Sequence, residues 1–195
     1  SPIIYEVLDY ACGITDKDGR LIAQANGVPG FLGTLTYQVQ EVLKKFGADQ
    51  LNPGDVFIAN VPYSGGGTHL SDVSLVQPIF YKKTLVGFSV NKGHWTEVGG
   101  KDPGSWTTDS IEIHQEGTMF PCIRIFEKGA EIPSVVDLIR ANSRLPDETI
   151  GDMRAQAASL TVAANRVVRL CKKYGIGLIL RAIQEILDWG ERITL

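Results

Sequence analysis

"DVSLVQPIFYKKTLVGFSVNKGH", residues 72–94, decides the fold. Two apolar runs, "VSLVQPIF" and "TLVGFSVN", flank Tyr81, Lys82 and Lys83, which predicts a β-hairpin with an exposed aromatic and basic tip. With its centre at Lys82, residues whose numbers sum to about 164 oppose one another. His94 then faces Leu70, and Asp72 is its diagonal neighbour on the same face, about 7 to 8 Å away at the backbone. Just upstream stands "GGGTHL", residues 65–70. A straight strand would send His69 to the opposite face, but Gly65, Gly66 and Gly67 allow a bend that turns it inward.

Two neutral imidazoles and one carboxylate make the ligand set that zinc, manganese or iron favour in open catalytic sites. A divalent ion held there polarises a carbonyl oxygen or acidifies a bound water. The same H-x-x-D spacing also suits a plain hydrogen-bonded turn. A phosphate cradle is the weaker use of the glycines, because the chain lacks G-x-x-x-x-G-K-[ST] and the segment that follows reads as strand. Cys12 and Cys122 sit in apolar, strand-like runs without an adjacent base, where thiols are usually inert. His114 alternates with Ile111 and Ile113, the pattern of a strand-face or surface histidine.

Working outward, residues 6–25 read as a hairpin around Asp16-Lys17-Asp18-Gly19, with Asp9 inside its first strand. Leu35, Val39, Val42, Leu43 and Phe46 have helical spacing, and Gly47 is the stop signal. "LNPGDVFIANVPY" gives a turn and a short buried strand, followed by a Pro- and Gly-rich loop from Asn60 to Thr68. Residues 99–110 form another loop, 111–129 a further strand pair and 132–144 a short helix. From Pro146 the composition turns rich in Ala, Leu and Arg, and the pattern predicts two helices broken at Gly175 and Gly177. The expected fold is α+β: a mixed, mainly antiparallel sheet built from hairpins, with packed helices and a C-terminal helical hairpin. The expected organisation is a body at 1–145 and a helical extension at 146–195.

The chain has 195 residues, 44% hydrophobic and 21% charged, with a formal net charge of −3. That is enough to bury one substantial core and supplies no basic footprint for nucleic acid. No apolar run reaches membrane-spanning length, since "YGIGLILRAIQEIL" is interrupted by Arg181 and Glu185. Three widely spaced cysteines without C-x-x-C fit free thiols in a reducing cytoplasm. Starting at Ser1-Pro2 and stopping at "ERITL", the chain reads as a piece of a larger subunit.

"GDVFIANVPYSGGGTHLSDVSLVQPIF", "GHWTEVGGKDPGSW", "IHQEG" and "GDMRAQ" together resemble the hydantoinase B/oxoprolinase family. These are subunits or halves of ATP-dependent cyclic-amide hydrolases, related to the acetone and acetophenone carboxylases. The resemblance implies a divalent metal held by His69, Asp72 and His94, with Asp9 of "LDYAC" as a further ligand. It implies an ATP-binding, hydantoinase A-like partner that activates a small-molecule substrate, hence a hetero-oligomer. Glu116, Asn142, Arg144, Asp152 and Gln156 also match family positions, and hydrogen bonds linking helix to sheet are the plainer role for them. Trp95 stands where many members carry a second histidine, a departure that suits the ketone-carboxylase alternative. A third alternative is a non-catalytic assembly module with structural histidines.

Overall fold

A computed structural model describes residues 1–25 and 27–194. Its centre is the hairpin of β4 (Asp72–Tyr81) and β5 (Thr84–His94). Around it lie β1 (Tyr10–Asp16), β2 (Leu21–Gln24), β3 (Val56–Ala59), β6 (Ile123–Glu127) and β7 (Ala130–Glu131), in the order β2-β1-β5-β4-β3-β6-β7. Every pairing among them is antiparallel. The helices are α1 (Pro2–Tyr5), α2 (Pro29–Phe46), α3 (Pro133–Ala141), α4 (Pro146–Tyr174) and α5 (Ile176–Thr194). The α+β expectation therefore holds, C-terminal helices included.

Strand alternation divides the side chains between two cores. Val76, Phe88 and Val90 join Phe57 and Ala11 under α2, where Phe31, Leu35, Val39 and Val42 form the buried stripe. Val73, Leu75, Ile58 and Trp95 face the other way, against Ile150, Met153, Ala157 and Leu160 of α4 and Val136 and Ile139 of α3. The first half of α4 is thus embedded in the same core as the central hairpin. Burial on both faces explains why β4 and β5 read as near-continuous apolar runs although they are antiparallel. Among the described residues no helix is long and apolar enough to cross a membrane.

The hairpin register departs from expectation by two residues. Asp72 lies directly opposite His94, and Ser74 opposite Lys92. The turn is the two-residue Lys82-Lys83, with Lys82 at φ 57°, and an irregularity between Ile79 and Phe80 adds one more step. Because the slip is even, every side chain keeps its predicted face. Two other expectations fail. Residues 111–129 contain a single strand, β6, which pairs with β3 and the short β7, while Ile113–Gln115 is a 3-10 turn that leaves His114 exposed. The glycine at 117, at φ 149°, breaks the alternation that the sequence suggested. Asp9 is not inside β1 but immediately precedes it, next to Leu8 at φ 60°. Its carbonyl still accepts from His94 N at 3.0 Å, extending the β1–β5 ladder by one residue.

Asn60, fully buried after β3, joins three segments. Its Nδ2 donates to Leu70 O (2.7 Å) and Thr118 O (2.9 Å), and its Oδ1 accepts from Phe120 N (2.6 Å). Replacing it by Ala strands three buried backbone groups. Asn60→Ala is expected to lower unfolding stability by about 3 kcal/mol in urea titration; a loss below about 0.5 kcal/mol would contradict this role.

Candidate metal centre

The site lies where β4 begins and β5 ends, on the face that α2 covers further along. Asp72 and His94 are held there by the ladder, buried and directly paired. His69 comes from the loop before β4. That loop is wedged in place: a Cβ on Gly67 would meet Val61 O at 2.2 Å, and Gly66, at φ 72°, lies against Thr34 and Tyr37 of α2. The predicted bend is present, since the His69 and His94 rings are 5.0 Å apart. One donor atom from each of His69, Asp72 and His94 falls within 4.8 Å of the others.

His69 Nε2 lies 3.0 Å from Asp72 Oδ1, in a contact too poorly aligned to count as a hydrogen bond for that buried oxygen. Thr68 Oγ1 donates to the other carboxylate oxygen, Oδ2, which orients the group and leaves Oδ1 facing the imidazole. His94 Nδ1 is buried and likewise without a hydrogen-bond partner. The contact with Asp72 raises the His69 pKa above its ordinary value, with weaker contributions from Asp9 and Glu116. Burial lowers that of His94, and the charge of Asp72 offsets this only in part. Burial pushes the Asp72 carboxyl up, but contacts with His69 and Thr68 outweigh it and hold the group below the usual range. Asp9 is near enough to act on both imidazoles, yet its carboxylate is not among the three converging donors.

Three neighbours carry weight that the sequence did not reveal. Lys92, on the same face as His94, is completely buried and donates to Gly66 O at 2.9 Å. Burial pushes its ammonium down to about 8, with the charge of Asp72 acting the other way. Strand alternation is the signal that could have found it. Trp106, 70% exposed, lies over both histidines, with ring centres 6.4 Å from His69 and 6.3 Å from His94. It follows Ser105, which holds φ 53° inside a network built on the buried Glu97. Glu97 accepts from Gly99 N (2.6 Å), Gly104 N (2.8 Å) and Arg144 Nη1 (3.1 Å), and Ser105 Oγ lies 3.1 Å from its Oε1. No period in the loop sequence announces that arrangement.

The remaining motif residues make structural bonds. Gln156 accepts from Trp95 Nε1 at 2.6 Å and donates to Val73 O at 3.1 Å, tying α4 to the sheet. Asn142 caps α3 through Leu138 O, Arg144 also reaches Gly100 O, and Asp152 is buried on α4. Trp95 is packed in the α4-side core with its ring 6.1 Å from that of Phe120, so it points away from the histidines. Burial raises the Cys122 thiol to about 11, in keeping with an inert cysteine.

The family model described as hydantoinase B/oxoprolinase matches residues 1–195. The B component of the putative D-/L-hydantoinase of Pseudomonas sp. (strain NS671) is 31% identical over 99% of this chain and 33% of its own length. The beta component of the caprolactamase of Pseudomonas jessenii is 32% identical over 94% of this chain and 31% of its own. The crystal structure of that organism's ATP-dependent caprolactamase superposes with a TM-score of 0.88 at 32% identity, covering 94% of this chain and 31% of the other. Nucleotide-free acetone carboxylase gives 0.89 at 19% identity over 95% of this chain and 24% of the other, a likeness of fold. The chain spans about a third of the length of these curated relatives.

Glu97→Ala is expected to cost about 2–3 kcal/mol and to speed amide exchange at residues 98–106 before the rest of the chain. Unchanged exchange in that segment would contradict Glu97 as its organiser.

Proposed function

Starting from a chain that belongs to the hydantoinase B/oxoprolinase family, we propose that it is the metal-binding region of an ATP-dependent hydrolase of cyclic amides. The observation that carries this reading is the convergence of His69, Asp72 and His94, with Asp72 Oδ1 and His94 Nδ1 buried and lacking hydrogen-bond partners. His69 faces Asp72 Oδ1 at 3.0 Å, but no hydrogen bond reaches His94 Nδ1, and a cation seated between the three side chains would satisfy both buried atoms. The 3.0 Å separation of His69 Nε2 and Asp72 Oδ1 matches one edge of an octahedral coordination shell with bonds of about 2.1 Å. Charge supports it too: the carboxylates of Asp72, Asp9 and Glu116 act on the imidazoles, against the ammonium of Lys92 beside Asp72. Three negative charges and one positive leave a deficit that a divalent cation offsets.

Zinc, manganese and iron all suit this donor set, and a bound ion would supply Lewis acidity toward an amide carbonyl or a water. The protein's own groups do the positioning. Asp72 and His94 are fixed by the sheet, Thr68 keeps one carboxylate oxygen turned away, and Asp9 adds negative charge beside them. His69 and Trp106 form the accessible side, where a substrate can approach an aromatic wall. ATP belongs in this scheme to a hydantoinase A-like partner in a hetero-oligomer. In this chain the glycine loop runs into strand β4 and not into a helix that would present its amides to phosphate.

The ketone-carboxylase alternative drew on Trp95, whose side chain lies in the core and does not reach the histidines. The cyclic-amide reading is therefore preferred. Chelator-treated protein should bind about one equivalent of Zn²⁺ or Mn²⁺ at neutral pH. His69→Ala and Asp72→Ala should each weaken binding at least about tenfold, and in the complete complex each should abolish ATP-dependent ring opening. Acidification should release the ion, because both imidazoles must be neutral to donate. Stoichiometric binding that survives both substitutions would refute the site. Bicarbonate-dependent turnover of a ketone without ring opening would favour the carboxylase.

A further inference from the structure

We propose that Lys92 is a positioning residue: its ammonium clasps the carbonyl of Gly66 and so fixes the glycine loop that carries His69. Two of the three converging side chains, Asp72 and His94, are held by strand pairing. His69 is not. Among the described residues, no backbone–backbone hydrogen bond engages residues 65–68; the nearest are Ser64 N to Val61 O and Asp72 N to His69 O. Three consecutive glycines without a ladder have the largest conformational freedom to lose. The polar tethers on this stretch are Lys92 Nζ to Gly66 O and Thr68 Oγ1 to Asp72.

The clasp comes from the right place. Lys92 stands two residues before His94 on the same strand and face, so it references the loop to the strand that supplies another of the three donors. Its side chain is wholly buried, with Nζ 5.6 Å from the ring centre of Phe31 in the first turn of α2. Ser74, directly opposite, has an unpartnered hydroxyl, so Gly66 is the acceptor that Lys92 uses. Methionine would fill the same space without the cost of desolvating an ammonium. What the lysine adds to the packing is the bond to the loop. Locking the Gly66 carbonyl restricts Gly67 and Thr68, the two residues that separate it from His69. The imidazole, 44% exposed, is thereby kept against Asp72.

The clasp is a property of the loop; only its consequence for a bound cation rests on the proposed function. The test compares wild type with Lys92→Met and Lys92→Arg by hydrogen exchange and by cobalt(II) titration. In Lys92→Met, the amide of Asp72, whose bond to His69 O closes the loop, should exchange roughly tenfold faster while the rest of β4 and β5 keep their protection. Cobalt affinity should fall roughly tenfold, with altered visible bands, and Lys92→Arg should restore both. Loop exchange and cobalt spectra unchanged in Lys92→Met would overturn the proposal, as would a loss of protection spread evenly over the sheet. If wild type takes up no cobalt, the metal reading fails and the exchange data alone decide the clasp. If neither variant folds, amine labelling of the wild-type protein decides. Lys92 modified as quickly as Lys82 and Lys83 contradicts the clasp, and protection lost only together with loop opening supports it.

Discussion

The pairing of Asp72 with His94 across β4 and β5 is the constraint on which the site depends. An antiparallel ladder fixes not only which residues oppose one another but also the face on which they do so. Here the two faces are filled by different cores, one under α2 and one under α3 and α4. A slip of a single residue would drive Asp72 toward Trp95 and Met153 and lift Leu75 and Val73 out of their core. Hydrophobic burial therefore enforces the register, and the register delivers a carboxylate and an imidazole to the same point. No sequence-local motif is required for this, because the hairpin brings together residues more than twenty positions apart.

Around that rigid pair the structure adds elements of graded stiffness. Asn60 pins Leu70, Thr118 and Phe120, so the base of the glycine loop is firm. Glu97 gathers Gly99, Gly104, Ser105 and Arg144, so the loop bearing Trp106 is firm as well, although the indole itself is exposed. Between them, His69 ends a segment, residues 65–68, that is tethered by side chains and not by main-chain hydrogen bonds. A site with two sheet-held donors and one loop-held donor combines fixed geometry with room for adjustment when a ligand enters.

Much of this was legible in the sequence because two periodicities dominate it. Two apolar runs flanking a polar tip in residues 72–94 identified the hairpin, strand geometry then put Asp72 and His94 on one face, and helical spacing located α2, α3, α4 and α5. The exact register was not legible. It depends on a two-residue turn with Lys82 at positive φ and on an irregularity at Ile79, neither of which leaves a compositional mark. The apparent alternation at Ile111, Ile113 and His114 misled because it has no partner strand. Lys92 was hidden by its charge: a lysine in a strand reads as solvent-facing, and only the loop folding over it makes it interior. Trp106 reached the histidines through irregular backbone, for which a sequence offers no period to follow.

The central claim is that three side chains share one cation. Crystals of chelator-treated protein resupplied with Zn²⁺ or Mn²⁺ and measured at the metal's absorption edge test it directly. One anomalous peak is expected, about 2.0–2.2 Å from a nitrogen of His69, an oxygen of Asp72 and a nitrogen of His94. A map without a peak there, or with the ion bound by other residues while these three keep their present contacts, would contradict it.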